Sequence, residues 1–248
     1  MLPKVKRYFN KESVKGTYTR EEVEIDYYDD RIKIIHQYTD KIDYFLDVGC
    51  GSGLFLKTVE MKLGVGKIFG VDISDEMIKK SYSRLQKSND ASLLLSDVLK
   101  LPFKKRVFDF IYTESLLHHV IGRTKAQSKD LSRMALCQMR DILKTNGFLL
   151  LTELFYESYG FSTLTSYILF YFLSFFDKYN LSPPLKKAPM GLIVSFYTRE
   201  ELEKMIKSIN GTIIEKQEIK WGRGYKEKAT LLKDRGEITY LIQFNHNK

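Results

Sequence analysis

The chain has 248 residues, 44% of them hydrophobic, with 40 Lys/Arg against 31 Asp/Glu and a formal net charge of +9. This length suits one α/β domain with insertions, and Cys50 and Cys137 are too few for a disulfide framework, which excludes a disulfide-stapled secreted domain and predicts a reducing, cytoplasmic setting. The start, Met1-Leu-Pro-Lys-Val-Lys-Arg7, lacks the apolar run of a signal peptide.

The charge is uneven. Residues 1–20 carry six Lys/Arg against Glu12 alone, and residues 216–235 carry seven against three acids. Two basic patches follow, either solvated surface or faces for nucleic acid, anionic lipid or an acidic metabolite. A Tyr-rich basic arm opens the chain, and residues 27–44 read as a helix and linker with Ile32, Ile34, Ile35 and Ile42 among charges. Tyr44 to Val48 then reads as a buried parallel strand and Leu54 to Leu63 as a helix with an apolar stripe. Between them stand Gly49, Gly51 and Gly53, which can take positive φ and let a ligand approach the backbone, beside unpaired amides at the helix start. A dinucleotide fingerprint would place its third glycine at position 54, where this chain has Leu, so NAD is the weaker reading.

The pattern recurs along the chain. Lys67 to Val71 is a second strand ending in Asp72, with Ser74 a predicted N-cap and Asp75 and Glu76 favourable in the first turn of its helix. Ala91 to Leu95 is a third strand, followed by Asp97, and Phe108 to Tyr112 a fourth. Residues 123–144 form a long helix, and a turn at 143–147 leads into a fifth strand, Phe148 to Glu153. Strands alternating with helices at these intervals predict a doubly wound, mostly parallel sheet.

Asp47-Val-Gly-Cys-Gly-Ser-Gly53, an acidic residue followed by G-x-G-x-G, resembles the first motif of the class I S-adenosylmethionine (SAM)-dependent methyltransferases, and the likeness runs over roughly residues 44–153. It implies a Rossmann-like α/β fold: a seven-stranded, mostly parallel sheet with helices on both faces and an antiparallel C-terminal strand. It also implies SAM as cofactor and S-adenosylhomocysteine as product. Asp72, nineteen residues past Gly53, falls where the family holds both ribose hydroxyls, and Asp97 where it reads the adenine amino group. Residue by residue, the implied cofactor site is Asp47, Gly49, Cys50, Gly51, Gly53, Asp72, Ile73, Met77, Asp97, Val98, Thr113 and Glu114. Thr145-Asn146-Gly147 replaces the family's Pro-Gly-Gly, a benign change because Asn tolerates the left-handed region. The family's N-terminal segment folds over the pocket, which makes Tyr8, Tyr18, Tyr27 and Tyr28 candidates for the substrate wall, with ordinary packing aromatics as the alternative.

Methyl transfer from a sulfonium is an in-line displacement that needs alignment and exclusion of water. No metal is called for, and the His, Cys and carboxylates show no metal-ligand spacing. His118 and His119, after the fourth strand, are the candidates for a general base, or else shape the pocket. No second motif cysteine of the cytosine-C5 type and no Asn/Asp-Pro-Pro-aromatic motif is present, which disfavours those nucleic-acid subclasses.

Residues 1–43 are thus read as an arm or cap, 44–153 as the SAM-binding core, 154–197 as a hydrophobic insertion, and 198–248 as a C-terminal helix and strand pair of one domain. Within the insertion, residues 161–176 carry no charge and, after Phe161, six Phe or Tyr. At ~1.5 Å per residue they would span about 24 Å, short of a ~30 Å hydrocarbon core. A lid over the active site, an interfacial helix peripheral to a membrane and a homodimer contact are the open alternatives. Thr198-Arg-Glu-Glu201 resembles a capped helix start running to about Ile209, and residues 212–221 should pair antiparallel with 238–244. The expected function is methyl transfer to a small, partly apolar acceptor. The alternatives are a tRNA-base methyltransferase using the basic patches and a non-catalytic SAM-binding interaction protein.

Overall fold

The computed structural model describes residues 2–14, 25–39, 41–86, 88, 90–179, 181, 192–222 and 232–245. Tyr18 and the Ser182-Pro-Pro184 turn lie outside them. In chain order the elements are α1 (Leu2–Val14), α2 (Asp29–Tyr38), β1 (Ile42–Val48), α3 (Leu54–Lys62), β2 (Val65–Asp72), α4 (Asp75–Leu85), β3 (Ala91–Leu95), β4 (Phe108–Glu114), α5 (Lys125–Ile142), β5 (Leu143–Ser158), α6 (Leu164–Lys178), α7 (Arg199–Ser208), β6 (Gly211–Lys220) and β7 (Leu232–Phe244). The seven strands form one sheet in the order β3-β2-β1-β4-β5-β7-β6. β1 to β5 run parallel, and β7 is inserted antiparallel between β5 and β6.

The two-residue period of the strands divides the interior into two cores. Leu46 and Val48 of β1, Leu149 and Leu151 of β5, and Ile238, Tyr240 and Ile242 of β7 pack with α5 and α7 on one face. Phe45, Leu150 and Leu241, their neighbours in sequence, pack together with Phe110 of β4 against α2, α3 and α4 on the other. Polar residues set the helix starts: Ser74 Oγ accepts from the Met77 amide, and Thr198 and Glu201 form a reciprocal capping box.

Three expectations need correction. Residues 143–147 are not a separate turn: β5 begins at Leu143, and the extra residues are absorbed as a bulge between the Phe108–Leu143 and Phe110–Phe148 pairs. No residue there takes positive φ, so the proposed role of Asn146 does not apply. The bulge needs Gly147 because a Cβ would lie 2.9 Å from the Asp109 carbonyl. Nor does the sheet pattern end at Glu153, since β5 continues to Ser158 by pairing with an earlier start of β7, Glu157 opposite Asp234. Finally, the basic arm opens with the helix α1, whose Val5, Tyr8 and Phe9 pack with Leu169, Phe172 and Leu173 of α6.

Candidate functional site

A cavity of about 450 Å³ opens at the carboxyl ends of the strands, within the ~300–1,000 Å³ usual for small-molecule pockets. It lies where the strand order reverses, between β1 and β4, the place at which open α/β sheets bind ligands. Its lining contains Asp47, Asp72, Asp97 and Glu114 but no Lys or Arg among the described residues. An acidic cleft thus sits in a chain of net charge +9.

The glycine turn contributes space more than donors. The Gly49 and Cys50 amides both donate to the Val71 carbonyl (2.8 and 3.0 Å) and the Gly53 amide to the Cys50 carbonyl (2.9 Å). The Gly51 amide donates to Asp72 Oδ2 at 2.9 Å, while Asp72 Oδ1 accepts from the Ser74 amide at 2.8 Å. The Ile73 amide bonds to the same carboxylate, which still has acceptor capacity for a further donor. Gly51 has φ +51, and a Cβ there would meet nothing within 4 Å, whereas at Gly49 it would lie 3.2 Å from a Leu116 methyl. Asp97 Oδ1 accepts from the Leu99 amide at 2.9 Å. Burial, with Glu114 and Asp72 nearby, pushes the Asp47 carboxyl well above the usual carboxylate range.

Past β4 the chain turns through Ser115, a non-glycine residue at φ 52, into the short 3₁₀ turn Leu117–His119. A left-handed serine at the rim of a cleft is backbone strain of the kind found at ligand sites. The turn is held from below by Glu153 of β5, which is fully buried and accepts from the Leu117 amide (2.7 Å), His118 Nδ1 (2.5 Å) and the Leu154 amide (2.8 Å). His118 therefore faces the protein interior and does not line the cavity. His119 does line it. Its ring lies 4.0 Å from that of His118 and edge-on to Phe9 at 5.0 Å, and Nδ1 is buried with no partner among the described residues. Burial, with His118 adjacent, holds its imidazole well below the usual range. On the β4 side, Glu114 accepts from Tyr112 (2.7 Å) and, at 3.5 Å, from Tyr27 and the buried Arg31, which also pairs with Glu237 of β7.

Of the twelve residues carried over to the cofactor site, ten line the cavity; Gly53 and Thr113 do not. Gly53 serves packing, because a Cβ there would lie 2.2 Å from Ser81 Oγ of α4. Thr113 ties strands together, donating to the Val48 carbonyl at 2.9 Å. Four amides of the turn before the helix, those of Gly49, Cys50, Gly51 and Gly53, bond within the turn and to β2, while the first helical bond of α3 is from the Lys57 amide to the Gly53 carbonyl, which leaves the amides at the helix start unpaired as expected. Tyr27 and Tyr28 line the cavity. No described residue of 154–197 does, and the covering element is α1 with Val5 and Phe9. Phe170 of this segment is fully buried and packs into the protein.

Sequence reasoning missed α1, Ser115 and Glu153. The Val5, Tyr8, Phe9 spacing was a legible helical signal. A glutamate inside the apolar run Phe148 to Phe155 was another, because a buried carboxylate requires donors. Among the described residues no group of three or more His, Cys, Asp or Glu is placed to hold a metal, and no helix is long and apolar enough to cross a membrane.

Residues 46–151 match the methyltransferase-domain family. An uncharacterized methyltransferase of Schizosaccharomyces pombe is 28% identical over 125 residues, 47% of this chain and 42% of that protein. The chain spans less than half the length of the curated relatives it matches. Among solved structures, a SAM-dependent methyltransferase of Clostridium acetobutylicum superposes with a TM-score of 0.62 at 17% identity, over 96% of this chain and 99% of that one. Another, from Methanosarcina mazei, does so with a TM-score of 0.61 at 19% identity, over 85% and 96%. Residues 46–151 thus match the methyltransferase domain, and the sheet order and the cleft at its switch point belong to the fold shared with these SAM-dependent methyltransferases.

Proposed function

We propose that the chain transfers a methyl group to a small, partly apolar acceptor bound beside His119. The observation that carries this reading is the charge of the cleft. Four carboxylates and no cation among the described lining residues favour a cationic ligand over a phosphate. A nucleoside with a sulfonium and an ammonium group and no phosphate fits that donor set. Asp72, an acceptor at the cleft wall, would hold the ribose diol, Asp97 the adenine edge, and Gly51 would leave room for the ligand.

Bound there, SAM supplies an electrophilic methyl group on sulfur. The chain's own part is alignment, dryness and handling of a proton. Val5, Phe9, Tyr27, Leu116 and Val120 present an apolar and aromatic wall that seats an apolar acceptor and keeps water out. His119, kept neutral by burial, lines the cleft and is the candidate base for the proton of an attacking hydroxyl or acidic carbon. His118, fixed by Glu153, holds the turn and packs its ring against His119, a positioning role.

Titration calorimetry with SAM and S-adenosylhomocysteine, followed by transfer of a labelled methyl group to a lipid extract or to RNA, tests the reading. Binding of both ligands with label in the organic phase is expected. Absence of SAM binding, or label in RNA alone, would overturn it.

A further inference from the structure

The insertion helix α6 has an apolar face that the described residues leave uncovered. Its buried positions are Ser166, Phe170 and Leu173. The opposite face, at steps of one, three, four and four residues, is Tyr167, Ile168, Tyr171, Phe175 and Tyr179, the last four 51–54% exposed. Beside it lies α1, whose outward positions Lys4, Arg7 and Lys11 form a basic stripe at helical spacing. The helices pack through Val5 and Leu173, and Lys4 closes the seam with Asp177 at 2.9 Å. An aromatic stripe and a basic stripe therefore flank a single seam, next to the helix that covers the cleft.

We propose that this paired face docks on an anionic bilayer surface, with the α6 aromatics in the headgroup and acyl boundary and the α1 cations on lipid phosphates. Charge complementarity selects that occupant. Aromatic and aliphatic residues on one face with Lys and Arg alongside are the pattern of an interfacial helix, and each cation near an anionic leaflet adds about fivefold in partitioning. Lys178, whose Nζ lies 5.4 Å from the Tyr179 ring centroid, is placed to snorkel from the same face. A second copy docked on α6 would bring two basic α1 edges together, which disfavours a dimer there. Since Val5 and Phe9 line the cleft from the inner side of α1, docking would set the cleft mouth at the lipid boundary and supply apolar acceptors from it. The docking itself rests on the two helices and not on methyl transfer.

The test is sedimentation of the full chain with phosphatidylcholine vesicles containing 30% phosphatidylglycerol, against pure phosphatidylcholine, in 50 and 200 mM salt. Binding to the anionic vesicles that weakens with salt is expected. Arg7→Gln with Lys11→Gln should weaken it roughly 25-fold, and Tyr171→Ser with Phe175→Ser tenfold or more. All four side chains are exposed, so calorimetric SAM affinity should stay unchanged and reports separately on the function proposed above. No vesicle binding, equal binding to both vesicles, or a dimer in sedimentation that Phe175→Ser dissolves would each overturn the proposal.

Discussion

Gly51 and Gly53 share positive φ but face different neighbours, and alanine separates their tasks. A methyl at position 51 would enter open space in the cleft. Gly51→Ala should cost about 1–2 kcal/mol of backbone strain and, by occupying ligand space, weaken SAM tenfold or more in calorimetry. At position 53 the methyl would strike Ser81 of α4. Gly53→Ala should cost a further ~1–3 kcal/mol by overpacking, lowering the Tm while the folded protein binds SAM almost normally. The reverse pattern would show that the roles are exchanged. Asp47 yields a pH prediction. Its folded carboxyl is raised by burial and by Glu114 and Asp72, so native protein binds more protons than unfolded between the ordinary and the raised value. Stability is therefore lost as pH rises through that window, and at pH 7 the carboxylate is a burden on the free protein. A cationic ligand favours its ionised form. SAM affinity should fall as pH is lowered through that window, more steeply than that of S-adenosylhomocysteine, which lacks the sulfonium charge. Asp47→Asn should raise the Tm, weaken SAM and flatten this dependence, all readable by thermal melts and calorimetry.

The segment before α7 is held by Lys125 at the start of α5, almost fully buried, which donates to Ser195 Oγ at 3.0 Å and to the Phe196 carbonyl and lies over the Tyr197 ring. The same segment meets the His118 carbonyl through the Ser195 amide at 2.9 Å and stacks Phe196 on the His118 ring. Burial lowers the Lys125 ammonium to about 8, against about 10.4 in an unfolded chain. Between those values the native state binds fewer protons than the unfolded, so this group makes stability rise with pH. Lys125→Met should reduce the gain in urea-unfolding free energy between pH 8 and 9.5, and an unchanged slope would place the ammonium in water. None of this was legible in the sequence, because a lysine on an amphipathic helix reads as surface until the tertiary fold covers it. The elements themselves read better. The third strand, Ala91–Leu95, has its predicted bounds and Ser74 caps as expected, since local alternation and cap chemistry set both. The length of β5 was not readable, because residues 154–158 are strand only by virtue of β7, some eighty residues away in sequence. The glycine turn could be located from its spacing, but not the bonding of its amides to Val71 and Asp72, which depends on register with β2.

Across the molecule, charge is arranged against its average: a basic chain encloses an acidic cleft, and that cleft is braced from outside by a single buried guanidinium. Arg31 of α2 pairs with Glu237 of β7 and, at 3.5 Å, with Glu114 of β4, so it joins the N-terminal arm, the cleft wall and the last strand. Removing one partner of such a buried group leaves charge without compensation, on the order of 3–5 kcal/mol. Arg31→Met should therefore lower stability throughout, but unequally with pH. Burial already raises the Glu237 carboxyl, and Arg31 is the largest influence lowering it. Without Arg31 its folded value climbs further, so native protein binds a proton that unfolded protein releases, and stability falls as pH rises between the unfolded glutamate value and the new one. The loss caused by Arg31→Met, measured by urea unfolding, should be larger at pH 8 than at pH 5. Adding Glu237→Gln should recover part of the stability and remove most of the difference between the two pH values. If the single and double variants lose the same free energy at both, Arg31 braces the cleft by packing alone and its pairing with Glu237 contributes little.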